Sequence, residues 1–83
     1  MKFDVMVEVS PRSGVADPQG ATIERSIPML GVTGVSAVRV GKAIRFAIEA
    51  VDEASAVATV DDLCQRFLTN PVIEDAAISV RPA

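Results

Sequence analysis

Histidine, tryptophan and tyrosine are absent from this 83-residue sequence, and cysteine occurs once. With no imidazole, no phenol and no activator beside the one thiol, catalysis by His, Tyr or Cys is not expected, and carboxylates remain. Cys64 cannot close an internal disulfide and has neither the ligand set for zinc nor the base for papain-like chemistry. It reads as a small buried hydrophobe. Aromatic residues amount to three phenylalanines, and the 8 basic residues, outnumbered by 11 acidic ones, form no run. An extended nucleic-acid surface is therefore not expected, although phosphate binding at one point stays open. No apolar stretch approaches the roughly 20 residues that cross a bilayer. The opening "MKFDVMVEVS" alternates apolar with polar residues, unlike the apolar segment of a secretory signal. These features predict a cytoplasmic protein with neither membrane nor nucleic acid as partner.

What is present is aliphatic. Hydrophobic residues make up 49% of the chain, so the core must come from Val, Ile, Leu and Ala. The length predicts one domain over 1–83. A chain this small buries only about 60% of the surface its unfolded form exposes. Self-association, to a dimer or tetramer, is the expected remedy.

Phe3, Val5, Val7 and Val9 alternate with Lys2, Asp4, Glu8 and Ser10, the pattern of a strand with one buried face. "SPRSGVA" reads as a loop. Asp17 is a fitting N-cap and Pro18 a fitting first helical residue. Ile23, Ile27 and Leu30 then form an apolar stripe, with Gln19, Glu24 and Arg25 facing water and Gly31 or Gly34 as the stop. Pro28 is expected to kink or tighten the last turn. "GVSAVRV" and "AIRFAIEA" flank Gly41-Lys42 and predict two antiparallel strands joined by a type II′ turn. Asp52 or Ser55 opens a second helix whose stripe is Ala54, Val57, Val60, Cys64, Phe67 and Leu68, and Asn70-Pro71 stops it. "VIEDAAISV" predicts a last strand. The order β-α-β-β-α-β implies an α+β, ferredoxin-like sandwich, an antiparallel four-stranded sheet with both helices on one face. Its other face would show Asp4, Met6, Glu8, Arg39, Arg45, Ala47, Glu49, Ala77, Ser79 and Arg81.

Carboxylate pairs Asp61-Asp62 and Glu74-Asp75 are sequence neighbours, which do not generally converge on one atom, and no EF-hand spacing occurs. Lys42 with Arg39 and Arg45 offers a basic hairpin, yet "GK" lacks the glycines and the Ser or Thr of a P-loop. Gly20, in the first turn of the first helix, costs roughly 1 kcal/mol relative to alanine. Either close packing or the approach of a foreign backbone or anion to free N–H groups would justify it. A chain without catalytic groups favours the second, a landing point for a partner. On that reading Gly20→Ala is mild for folding and reports on assembly.

A V-x-V strand, "DPQG" opening a helix, "GV" before a strand ending "VRVGK", a helix carrying "LC" and then "LTNPVIED" together resemble the PurS family. The likeness runs from Val5 to about Val80. It implies a non-catalytic small subunit of phosphoribosylformylglycinamidine synthase in purine biosynthesis. In that complex a glutaminase subunit releases ammonia and a large synthetase subunit uses ATP and Mg²⁺. The small subunit contacts both and holds no cofactor itself. The family's motif falls on Asp17, Pro18, Gln19, Gly20, Arg39, Gly41, Lys42, Asn70, Ile73, Glu74 and Asp75, with contact roles. Pro28 departs from the usual helix formers, and Ala76 stands where a tyrosine is common. "LGVTGVSAVRV" also resembles the loop into the second strand of ACT domains, amino-acid-binding regulatory modules of the same element order. "DPQG" and "VRVGK" are better matched by PurS.

Overall fold

The computed structural model describes residues 1–83. Strand β1 (Lys2–Pro11) is followed by helix α1 (Pro18–Ser26) and a 3-10 turn over Ile27–Leu30. Strand β2 (Lys42–Glu49), helix α2 (Glu53–Leu63), a π-helical turn over Cys64–Leu68 and strand β3 (Glu74–Pro82) complete the chain. The sheet has three antiparallel strands in the order β2-β1-β3. This corrects the expected four.

The missing strand is the "GVSAVRV" segment. Its main chain makes no ladder: it turns through the left-handed region at Gly34 (φ 87°) and Ala37 (φ 56°), and side chains take its donors, Val38 N–H binding Glu24 Oε1 at 2.9 Å and Val40 N–H binding Asp17 Oδ2 at 2.8 Å. Gly41 is not among the glycines with positive φ, so the expected type II′ turn, which needs φ > 0 there, does not form. Instead β2 returns directly beside β1, with Val9 opposite Lys42 and Phe3 opposite Ile48.

β1 is central and carries the core. Phe3, Val5, Val7 and Val9 are all buried, and Val5 lies between Phe46 of β2 and Val80 of β3. Each such side chain contributes about 1.5–3 kcal/mol relative to exposure. Ala56 and Val60 of α2 and Cys64 at the start of the π-helical turn, spaced by four, cover this row from above. Asp52 caps α2 by accepting from Ser55 N–H at 2.8 Å. Burial and the Asp61 charge raise the Cys64 thiol above its ordinary pKa, which keeps it protonated.

Two expected stripes shift. Ala54, Val57 and Phe67 leave the core, Phe67 being 82% exposed. The π turn, marked by Thr69 N–H bonding back to Cys64 C=O, adds a residue to the last turn and so brings Leu68 inward in place of Phe67. In α1, Gly20 is the only buried residue. Ile23 and Leu30 of the expected core stripe are exposed, because α1 lies off the sheet and only α2 covers it. Pro28 sits in the 3-10 turn, the tightened helix end its missing N–H requires, and Gly31 at φ 82° closes it. The other sheet face shows the expected polar residues apart from Arg39, which precedes β2. No helix is long and apolar enough to cross a membrane.

Candidate functional site

Eleven motif residues scattered over the sequence gather at one end of the sheet, where β1 finishes and β2 and β3 begin. The chain from Asp17 to Val40 leaves this end as an arm and returns to it. Three contacts tie the two limbs of the arm. Asp17 accepts from Gly20 N–H through Oδ1 at 3.0 Å and from Val40 N–H through Oδ2 at 2.8 Å, so one carboxylate both caps α1 and anchors the returning limb. Glu24 holds Val38 N–H. The third is the Gly20 contact: a methyl group there would meet Val38 O at 2.6 Å and Asp17 Oδ2 at 2.5 Å.

That space is filled by the chain itself, so the bare first turn of "DPQG" serves intrachain packing and not the landing of a partner's backbone. Gly20→Ala is correspondingly not mild. Gln19 beside it is exposed and Pro18 occupies the first helical position, its carbonyl accepting from Thr22 Oγ1 at 2.9 Å.

Arg39 clamps the root of the arm. Its guanidinium donates to the carbonyls of Pro11 at 2.5 Å and Arg12 at 3.1 Å and lies 3.8 Å from Asp17 Oδ2. Gly41 comes next, so close to Val9 O that a Cβ would overlap it. The basic trio foreseen around the turn does not converge. Arg39 is turned to the end of β1, and Lys42 and Arg45 fall on opposite faces of β2 by the alternation of the strand.

On the β3 side, Asn70 builds a turn. Its main-chain oxygen accepts from Ile73 and Glu74 N–H, its Oδ1 accepts from Val72 N–H at 3.2 Å, and its own N–H donates to Glu74 Oε1 at 2.8 Å. Arg12 stitches this turn to β1. Arg12 N–H binds Ile73 C=O at 2.8 Å, and its Nε reaches Glu74 C=O and Asp75 Oδ1, both at 3.4 Å. Sequence reasoning passed over Arg12 as part of a loop; its one signal was a cation immediately after a strand's closing proline. Between the two halves lies a shallow cleft of about 210 Å³ lined by Gln19, Gly41, Lys42 and Glu74 with Val9, Pro11 and Val40. Residues from all three motifs thus share one surface. No three His, Cys, Asp or Glu side chains come together as a metal site.

The bonds from Val40 and Gly20 N–H, reinforced by Arg39 and partly opposed by burial, lower the Asp17 pKa below the ordinary carboxylate value. A depressed carboxylate contributes stability above its unfolded pKa of about 3.9 and loses it as pH falls through the folded value. The arm's root is therefore expected to loosen in acid below about pH 4. The protection of the Val40 and Gly20 amides, expressed relative to the intrinsic exchange rate at each pH, should fall there in the wild type. Asp17→Asn should show low protection at both amides already at neutral pH. A Val40 amide equally protected in both proteins would refute this role for Asp17.

A family model described as PurS, phosphoribosylformylglycinamidine (FGAM) synthase, matches residues 4–82. The chain belongs to the PurS family. A PurS subunit from Synechocystis is 39% identical over 78 residues, covering 94% of this chain and 78% of the relative. One from Methanothermobacter thermautotrophicus is 36% identical, covering 96% and 94%. The crystal structure of the Thermotoga maritima PurS subunit superposes with a TM-score of 0.88 at 33% identity, covering 98% of this chain and 93% of that one. A chain in the structure of PurLQS from the same organism superposes at 0.89, with 33% identity and coverage of 98% and 99%. Family membership sets aside the ACT reading. It also makes the three-stranded sheet with its projecting arm comparable, element for element, with other PurS chains.

Proposed function

We propose that this chain is the non-catalytic small subunit of a phosphoribosylformylglycinamidine synthase. It bridges a glutaminase subunit and a large synthetase subunit in the cytoplasm and assists ammonia transfer between them. ATP and Mg²⁺ act on the synthetase subunit. The observation that carries this reading is how the polar motif residues are used. Asp17, Arg39, Asn70 and Glu74 spend their side chains on main-chain groups of the same chain. Groups fixed in that way shape a surface and are not free to move protons on a substrate. Gln19, Lys42 and Ile73 remain exposed around this frame as contact residues.

The deciding experiment is reconstitution of the three purified subunits. Without this chain, glutamine-dependent formation of the amidine should fall by an order of magnitude or more, while turnover with ammonium salts is retained far better. Measurable glutamine hydrolysis by the 83-residue chain alone, or unchanged glutamine-dependent turnover in its absence, would overturn the reading. Self-association, to a dimer or a tetramer, accompanies the same role.

A further inference from the structure

We infer that Arg39 is a positioning residue for the Asn70–Glu74 turn, to which it makes no hydrogen bond of its own. It acts through a relay of two peptide units, and the arm's root and the turn thereby meet the partner subunits as one rigid surface. The part played by the partner subunits rests on the proposed function; the relay does not.

A trans peptide unit is planar, with its C=O and its N–H pointing in opposite directions. It is a rigid rod with an acceptor at one end and a donor at the other. Two such rods stand in series at the end of the sheet. In the first, Pro11–Arg12, the carbonyl accepts from the Arg39 guanidinium at 2.5 Å and the N–H donates to Ile73 C=O at 2.8 Å. In the second, Ile73–Glu74, that same carbonyl is the acceptor and the N–H donates to Asn70 C=O at 2.8 Å. The series stops there because Pro71 follows Asn70 and has no N–H to pass on. At the other end Arg39 Nε lies 3.8 Å from Asp17 Oδ2, on the carboxylate that caps α1. Asp17, Arg39, Ile73, Glu74 and Asn70, scattered in the sequence, thus lie on one line of contacts.

The line crosses the sheet where it is weakest. The Arg12–Ile73 bond lies just beyond the last β1–β3 pair, Pro11 opposite Glu74, and the ends of ladders open most readily. Burial does little for this rung: Arg12, Ile73 and Asp75 are exposed, and Pro11 and Glu74 only half-buried. A charged donor on the Pro11 carbonyl bonds more strongly than a neutral one. It also polarises the peptide, which firms the bond from the N–H at the other end. The Arg12 side chain is a lesser tie, since its Nε reaches Glu74 C=O and Asp75 Oδ1 only at 3.4 Å and in solvent. Arg39 therefore holds the rung shut, and the turn follows the rung.

Amide exchange of the full chain, read by NMR as protection relative to intrinsic rates, tests the relay. Arg39→Met keeps the side-chain stem and removes the donors, and should lower protection at the Arg12 and Glu74 amides about tenfold or more. Thr69 N–H, which bonds Cys64 C=O off the line, should keep its protection. Arg12→Met removes only the side-chain tie and should leave Glu74 within about threefold of wild type. Arg39→Lys should regain part of the loss, because an ammonium still donates to one carbonyl. Unchanged Glu74 protection in Arg39→Met, equal losses at Thr69 and Glu74, or a larger loss from Arg12→Met would overturn the relay. If Arg39→Met loses its far-UV circular dichroism, Arg39→Gln takes its place in the same comparison. In the reconstituted complex, the amount of chain giving half-maximal glutamine-dependent turnover should rise from wild type through Arg39→Lys to Arg39→Met, by about tenfold in all, as pre-organisation is lost. An order that does not follow Glu74 protection would overturn the shared surface. If the complex needs no wild-type chain at all, the proposed function fails instead, and the exchange result still judges the relay.

Discussion

Gly20→Ala should uncouple the arm from its own returning limb. The added methyl would lie 2.6 Å from the Val38 carbonyl oxygen and 2.5 Å from Asp17 Oδ2. Neither neighbour can retreat freely. Val38 is held by Glu24, and the Asp17 carboxylate is the cap of α1 and the acceptor for Val40. Moving the carboxylate forfeits a cap worth typically about 1 kcal/mol, and the strain of the overlap adds about 1–3 kcal/mol. Alanine's better helix propensity returns only about 1 kcal/mol. Hydrogen exchange read by mass spectrometry should show peptides spanning 17–26 and 35–41 losing protection together while α2 and β3 keep theirs. Retained protection in both arm peptides would show that the close approach is not needed.

Gly41→Ala is expected to strike the sheet itself. A Cβ there would overlap the Val9 carbonyl oxygen, and that atom belongs to the central strand, with one face buried, on which both β2 and β3 are ordered. Backbone on both sides leaves no side chain to swing away, so β2 must shift out of register with β1 or the strand end must detach. Overpacking of this kind costs about 2–3 kcal/mol. In a domain of this size that lowers the melting temperature by roughly 10–20 °C. Urea unfolding monitored by circular dichroism measures it. A midpoint within error of wild type would mean that the end of the sheet yields more readily than its hydrogen bonds imply. Gly41→Ser should behave in the same way, since the obstacle is the Cβ atom and not the hydroxyl beyond it.

The elements were legible where side-chain periodicity and main-chain pairing agree. β1, β2 and the last strand announce themselves by alternation, and Asp17-Pro18 and Asp52 mark helix starts that the structure places at those residues. "GVSAVRV" misled because valines bracketing Arg39 look the same whether the main chain pairs with a strand or is bound by carboxylates. Nothing local tells that Asp17 and Glu24 will claim Val40 and Val38 from across the arm. Phe67 misled for a different reason. A π turn changes the period of the helix after Cys64, and an apolar stripe extrapolated at 3.6 residues per turn then lands one residue early. The site was legible as a set of motif residues. Its organisation was not, since Arg12, which joins the Asn70 turn to β1, belongs to no motif.

The placement of β1 between the two other strands also governs when the sheet can exist. Val9 meets Lys42 after the arm has been made, but Phe3 meets Pro82 only once nearly the entire chain is available. The β1–β2 pair is a hairpin-like ribbon on its own, and two strands are marginal in water. The buried row of β1 thus waits for residues that a ribosome delivers last. High contact order of this kind slows folding, and in the interval an apolar ribbon stands uncovered. A nascent chain in that state is exposed to chaperones, or to sister chains emerging nearby on the same message.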